Sequence, residues 1–360
     1  MEKIFILLAL FCLIFSCSKK DEQKTELNSG TTNQVENTKI DSYISDEDEI
    51  LINSSEPEKV IERLSEKVNS ENAELDEYLT YIVALTSEGI KKKITIEDLN
   101  KSLEIINKLL EKYPENYELH RLKGLTYDLK GETEEAVQHF SKALEIESKD
   151  SYIFSNLGAL YRKTGNIEKA KENIKKSLEI DELNHQALMS SAIIDYREGN
   201  FDEAVKSLDK LIENYKNKEI LINANLLKAK SLTKQEKYED AEKNYLSAIG
   251  LGERAETYLD FGIFNYQIFE KKLEEKDEIK ANNYLNFSEE LLIKSLELES
   301  ESIYTNLFLG YINQDKAKNE ESEKYYKKAL ELLEKDQEIE EKRKQELKKE
   351  IEENIYSLTI

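Results

Sequence analysis

The chain has 360 residues, enough for a long repeat array or two ordinary domains, yet it is only 39% hydrophobic and 35% charged. Its 75 acidic and 52 basic residues give a formal charge of -23, which excludes a general attraction to nucleic acid or anionic lipid headgroups. The two cysteines, Cys12 and Cys17, lie at the extreme N-terminus, so no disulfide framework is available to the body of the chain.

In chain order, Lys3 is followed by an apolar run from Ile4 to Phe15. That run is too short to span a bilayer stably as a helix and has the length of a secretory signal core. Leu13-Ile14-Phe15-Ser16-Cys17 ends it, and the polar Ser18-Lys19-Lys20 follows. The ending resembles a bacterial lipobox: aliphatic at −3, small at −1, then cysteine. The resemblance implies cleavage after residue 16 and diacylation of Cys17 on sulfur. Residues 17–55, rich in Ser, Thr, Asn and acids and carrying the run Asp46-Glu47-Asp48-Glu49, predict a disordered tether between the anchor and the folded body.

Helical periodicity begins at residue 56. Val60, Ile61 and Leu64 share one face; Leu79, Ile82, Val83 and Leu85 mark a second helix; Leu99, Leu103, Ile106 and Leu110 mark a third that Pro114 closes. Residues 56–116 are therefore N-terminal helices that include one degenerate repeat. Gly124 to Leu144 (GLTYDLKGETEEAVQHFSKAL) then recurs 34 residues later as Gly158 to Leu178. Gly124/Gly158, Tyr127/Tyr161, Gly131/Gly165 and Ala136/Ala170 all keep step at that period, which is the mark of a repeat architecture. Gly124 and Ala136 are small where two antiparallel helices would approach, Phe140 is large beside them, and Gly131 suits a tight turn with positive φ.

Small residues at repeat positions 8, 20 and 27 with a large one at 24 resemble the tetratricopeptide repeat (TPR) family. The resemblance implies an all-α chain: an α-solenoid of TPR helix hairpins with a C-terminal capping helix. The array covers 117–336 as units 117–150, 151–184, 185–218, 222–254, 255–302 and 303–336, and 337–360 forms the cap. The fifth unit carries 14 surplus residues, which add about two turns to each of its helices at roughly 3.6 residues per turn.

No spacing of His120, His139 and His185 predicts a metal site, no nucleophile or nucleotide motif sits in the context it needs, and no cofactor is called for. Gly250-Leu251-Gly252-Glu253-Arg254-Ala255 fits a dinucleotide pattern formally, but a helix precedes it where a strand is required. In the resembled family the first helix of each hairpin lines a concave groove. Carried over, that implies a partner surface of Arg121, Tyr152, Asn156, Arg162, Lys163, Met189, Tyr196, Arg197, Lys230, Lys234, Tyr266, Phe308 and Tyr311. The expected function is a membrane-tethered, non-enzymatic scaffold in the bacterial cell envelope, the outer membrane ahead of the inner, with envelope or outer-membrane assembly as one such role. It takes an extended segment or helix of a partner protein in the groove and no nucleic acid. The alternative is a ligand-binding or enzymatic lipoprotein that uses the groove as a pocket.

Overall fold

The computed structural model describes residues 44, 45, 48, 52, 56–87, 93–147, 149–337 and 339–359. The signal and lipobox residues, Cys17 among them, lie outside these. Among the described residues the chain is all-α, with sixteen helices and no strand. They fall into two compact units: one holds residues up to Glu198 together with Lys206–Ile220, the other Gly199–Val205 together with 221–359.

The first unit opens with α1 (Pro57–Asn69), α2 (Leu75–Leu85) and α3 (Ile96–Lys112). Every residue of α2 from Leu79 to Leu85 is buried, including Thr80 and Tyr81. A helix apolar all round belongs in the interior. It is the centre of a small core that also takes in Val60, Leu64 and Val68 of α1 and Ile106 of α3.

That core corrects the expectation of a tether running to residue 55. Ile44 and Ile52 are 8% and 4% exposed and belong to the same cluster. Between them Asp48 is buried; its carboxylate accepts from Ser45 Oγ (2.7 Å), its backbone N–H donates to the same oxygen (3.2 Å), and Arg63 of α1 closes an ion pair on the carboxylate. The spacing of these three residues is i, i+4, i+8, one face of a helix. A chain beginning at residue 56 is therefore expected to lose several kcal/mol of stability, since each buried isoleucine contributes about 1.5–3 kcal/mol. Thermal melts of the full and shortened chains measure this, and equal melting would place the isoleucines outside the core.

The hairpins follow. In the first unit they are α4 (Tyr117–Lys130) with α5 (Thr133–Ile146) and α6 (Ser151–Lys163) with α7 (Ile167–Ile180), followed by α8 (His185–Glu198); α9 (Phe201–Asn214) crosses from one unit to the other. The second unit takes in most of α10 (Lys218–Lys234), then α11 (Tyr238–Leu251), α12 (Ala255–Glu274), α13 (Glu278–Leu298), α14 (Ile303–Asp315), α15 (Asn319–Lys335) and α16 (Glu341–Ser357).

Two local devices make the hairpins. The first is the close approach of paired helices at a small residue. A Cβ on Gly124 would stand 2.7 Å from the Phe140 ring, on Gly158 2.8 Å from Ile174, and on Gly262 2.7 Å from Leu292. Where serine replaces alanine on the second helix, its buried hydroxyl donates across the gap: Ser288 Oγ to Gly262 O (2.7 Å), Ser322 Oγ to Gly310 O (2.8 Å), Ser177 Oγ to Ser151 O (2.7 Å) and Ser295 Oγ to Ala255 O (2.9 Å). The buried hydroxyl is thereby satisfied at no cost in approach distance.

The second device is the turn. Gly131, Gly165 and Gly199 have φ of 79°, 79° and 82°. Past Gly131 the N–H of Glu132 donates to Tyr127 O at 2.9 Å, the 6→1 bond of a Schellman turn. The later hairpins make the same bond, Lys237 N to Leu232 O (2.9 Å), Asp277 N to Lys272 O (2.9 Å) and Lys318 N to Asn313 O (2.8 Å). There the left-handed residue is Glu236, Lys276 or Ala317, each held in a conformation that costs a non-glycine residue about 1 kcal/mol.

The surplus of the fifth hairpin is helix. α12 and α13 run 20 and 21 residues, against 13 for α6 and 17 for α15. Lys271, near the far end of α12, is tied back to the preceding hairpin by Glu236 at 2.9 Å and by the Tyr238 ring, 4.6 Å from its Nζ to the centroid.

Candidate partner-binding surfaces

In the first unit, α4, α6 and α8 carry the predicted groove residues. Arg121 is half-buried and paired with Glu118 at 2.8 Å, one turn back on α4. Lys163, at the end of α6, reaches Asp128 of α4 at 3.6 Å. Tyr152 and Met189 are half-buried and Arg197 is exposed. Asn156, Arg162 and Tyr196 are 4%, 5% and 9% exposed. These last three are buried, a correction to their placement on a wet surface. The basic residues that this unit leaves on the predicted surface are thus Arg121, Lys163 and Arg197, with Glu118 beside the first and Asp128 beside the second.

Tyr152 lies against His185, whose ring in turn meets Tyr215, and the periodicity marks neither of the two. His185, at the start of α8, is 5% exposed, with its ring 6.4 Å from Tyr152 and 5.5 Å edge-on from Tyr215. The Tyr152 hydroxyl and His185 Nδ1 are buried with no hydrogen-bond partner among the described residues. Burial, and then Tyr215, Asp181 and Asp150, push the Tyr152 phenol up, while burial pushes His185 down to about 4. A neutral imidazole is what such a site tolerates.

The other two histidines, scattered in sequence, meet across the first hairpin. His120 of α4 and His139 of α5 stack at 5.6 Å with Nδ1 atoms 3.3 Å apart, and Tyr127 stacks on the far side of His139, also at 5.6 Å. His120 Nε2–H donates to the Pro114 carbonyl (3.0 Å), so its Nδ1 accepts from His139 Nδ1–H. Burial, with Lys123 and His120 adding to it, pushes His139 down to about 4. Among the described residues no group of three or more His, Cys, Asp or Glu is placed to hold a metal. A hollow of about 400 Å³ lies between α7 and α8; Ile174, Leu178 and Ile194 line it, with Lys171, Lys175, Glu179 and Asp195 around them. Nothing in that lining converges as an acid, a base and a nucleophile would.

In the second unit the first helices are α10, α12 and α14. Lys230 of α10 and Asp260 of α12 form a mostly sheltered ion pair at 2.6 Å, and Arg254 Nη1 donates to Asn223 Oδ1 at 3.1 Å. Burial and the neighbouring Asp260 push the Glu256 carboxyl up, against the pull of Lys230 and Arg254. Lys234 is half-buried. Tyr266, Phe308 and Tyr311 are 4%, 4% and 7% exposed, which corrects the expectation that they line an open groove. Successive helices cover them. Tyr266 donates to Asp315 Oδ2 at 2.6 Å, Phe308 sits edge-on to both tyrosines, and the Tyr311 hydroxyl donates to Glu350 of α16. Beside Tyr266, burial and the charges of Asp315 and Glu274 push Glu270 up to about 7.

Comparison with known families rests on the same hairpins. A family model described as TPR repeat matches residues 124–165, and models described as tetratricopeptide repeat match 152–182, 186–218 and 303–336. The chain carries tetratricopeptide repeats. Solved TPR structures share the fold at low identity. A tetratricopeptide repeat protein from Parabacteroides merdae is 18% identical with a TM-score of 0.51, over 82% of this chain and 98% of that one. The APC/C hetero-tetramer Cut9-Hcn1 gives 14% and 0.60 over 93% of this chain, which spans only 60% of its counterpart there. PilW, a type IV pilus biogenesis factor, gives 14% and 0.50 over 62% of this chain and 96% of that one. No curated protein sequence matches the chain. The TPR hairpins present helix faces of mixed charge and half-buried aromatic and thioether side chains, the arrangement of an interaction scaffold.

Proposed function

We propose that the chain is a lipid-anchored TPR scaffold that holds a partner protein at the bacterial cell envelope, on the outer membrane ahead of the inner. The observation that carries the binding half is the face of α4, α6 and α8. Arg121, Lys163 and Arg197 stand there beside half-buried Tyr152 and Met189, on a chain whose overall formal charge is -23. Local positive charge in an acidic molecule, next to apolar side chains that keep a wet edge, suits an extended segment or helix bearing acidic residues. The lipobox-like Leu13 to Cys17 supports the anchoring half. No helix among the described residues is long and apolar enough to cross a membrane.

Each half has its own test. Cys17→Ser is expected to move the protein from the membrane to the soluble fraction; partitioning into detergent that persists in the variant would remove the acyl anchor. For binding, Lys163→Glu with Arg197→Glu is expected to weaken partner capture about tenfold, as for rim charges that steer a complementary patch. The readout is crosslinking in cells with identification of the captured protein. Circular dichroism should stay at the wild-type level because neither side chain is part of the core. Arg162 is unsuited to this experiment, since it is buried and reversing it would disturb the hairpin itself.

A further inference from the structure

The repeats of the first unit let one seam be compared with the next. Tyr127 of α4 and Tyr161 of α6 stand one period apart. Tyr161 packs on two cores at once, the one around Ala136 and Phe140 and the one around Ala170 and Ile174. One turn before it, Leu157 is 4% exposed in the first of these cores. A further period on, in α8, the same two places hold Asp195 and Ser191. Tyr196 does not make good the loss. A residue one place later is turned about 100° around the helix, and Tyr196 is not in the lining of the hollow between α7 and α8.

That hollow, of about 400 Å³, lies at these two positions. A plain packing fault in a core would be apolar throughout. Here Ile174 and Ile194 give a buried wall with Leu178 beside them, but Ser191 and Asp195 also line the space, and Ser191 Oγ donates to Asp195 Oδ2 at 3.3 Å. The two lysines of the lining are exposed and pair with acids, Lys171 with Glu198 at 2.5 Å and Lys175 with Glu179 at 3.8 Å. Acids therefore outnumber bases around the hollow: Glu179, Asp195 and Glu198 against Lys171 and Lys175. An apolar recess of this volume with a few fixed polar groups has the make-up of a small-molecule site. None of the residues predicted for the partner groove lines it.

We propose that this hollow binds a small aromatic amine. The ring lies on Ile174, Leu178 and Ile194, where the tyrosine of the preceding repeats would have been. The ammonium donates to Asp195, whose carboxylate Ser191 orients. A half-buried carboxylate beside an apolar wall favours a cation over an anion or a neutral head, because pairing offsets the cost of sheltering its charge. The site lies apart from the partner surface and does not rest on the scaffold reading.

The test is isothermal titration of the full chain with tyramine and with p-cresol, which has the same ring and no amine. Tyramine is expected to bind saturably and p-cresol about tenfold more weakly, the difference one charge-assisted hydrogen bond makes. Asp195→Asn should bring tyramine to the level of p-cresol and leave p-cresol unchanged. An acidic chain attracts any cation weakly, so the site is the part of the binding that Asp195→Tyr removes. That variant restores the residue of the earlier repeats and fills the space. Ser191→Leu restores the other missing side chain and should also abolish binding, which covers the case in which Asp195→Tyr does not fold. Absence of saturable tyramine binding to the wild type overturns the proposal, as does undiminished binding to Asp195→Asn or to a folded filling variant. If tyramine fails to bind while Asp195→Tyr loses the partner captured by crosslinking, the hollow belongs to a partner's side chain and the small-molecule site is overturned.

Discussion

Gly310→Val is expected to destabilise the sixth hairpin by on the order of 3 kcal/mol or more, the range in which overpacking of a core becomes severe. A Cβ at this position would lie 2.4 Å from both Cδ1 and Cε1 of Tyr326 and 3.0 Å from Cζ. The ring has nowhere to go. Tyr326 is fully buried, its hydroxyl donates to Gln314 Oε1 at 2.8 Å, and Tyr311 stands against it at 5.8 Å. Gly310→Ala tests the balance more finely. Alanine gains about 1 kcal/mol of helix propensity, and the clash must exceed that for the variant to be less stable. Gly250→Ala is the control, because nothing lies within 4 Å of a Cβ there and it is a helix position. It is expected to be neutral or to stabilise by up to about 1 kcal/mol. Repeat arrays need not unfold in one step, so hydrogen exchange resolved to α14 and α15 is the suitable measurement. If Tyr326→Leu rescues Gly310→Ala, the two residues are coupled through the contact itself. A Gly310→Val protein as stable as Gly250→Ala would mean that α14 and α15 do not depend on a close approach at this glycine.

That contact was legible in the sequence because side-chain size is written there. Gly124 with Phe140 and Gly310 with Tyr326 announce a close crossing by their spacing and size alone. The turns were half legible. Gly131 signals positive φ, but Glu236, Lys276 and Ala317 adopt the same conformation with no glycine to mark it, held by the 6→1 bond and by the packing of the helices on either side. The groove was least legible. Position along a first helix says which way a side chain faces, not what lies over it. Tyr311 is covered by Glu350, 39 residues away, and Tyr266 by Asp315, 49 residues away. Charge was misleading for a related reason: Arg121 and Lys163 count as a basic strip until Glu118 and Asp128 are placed beside them. The acidic segment around residue 48 reads as solvated because its composition is polar, and Ile44 and Ile52, eight apart, are visible as a face only once Arg63 gives Asp48 a reason to be buried. The meeting of His120 and His139 had a usable signal. Their places in the repeat, fourth and twenty-third, put them on the facing helices of one hairpin.

His185 gives the second large effect, and its sign follows from burial. Its ring is 5% exposed, packed on Tyr215 and Tyr152, and burial lowers its pKa from an ordinary 6.5 to about 4. The unfolded chain therefore binds this proton more readily than the folded one. Its contribution to stability is complete above the unfolded value, begins to fall as the pH drops below about 6.5, and is lost by about 4. A difference of that size corresponds to about 3 kcal/mol. The melting temperature should therefore fall between pH 7 and pH 4.5. His139, also pushed down to about 4, acts in the same direction. Protonation of carboxylates acts the other way in part, by relieving the self-repulsion of a chain with a formal charge of -23. The informative quantity is consequently the difference between wild type and His185→Phe. Phenylalanine keeps the ring contacts with Tyr152 and Tyr215, removes the buried Nδ1, and cannot be protonated. The variant is expected to match or exceed the wild type at pH 7 and to lose clearly less stability on acidification. Melting curves that shift in parallel for the two proteins from pH 7 to pH 4.5 would mean that the imidazole takes up its proton in the folded state without penalty, through access to water that the packing around α8 does not provide.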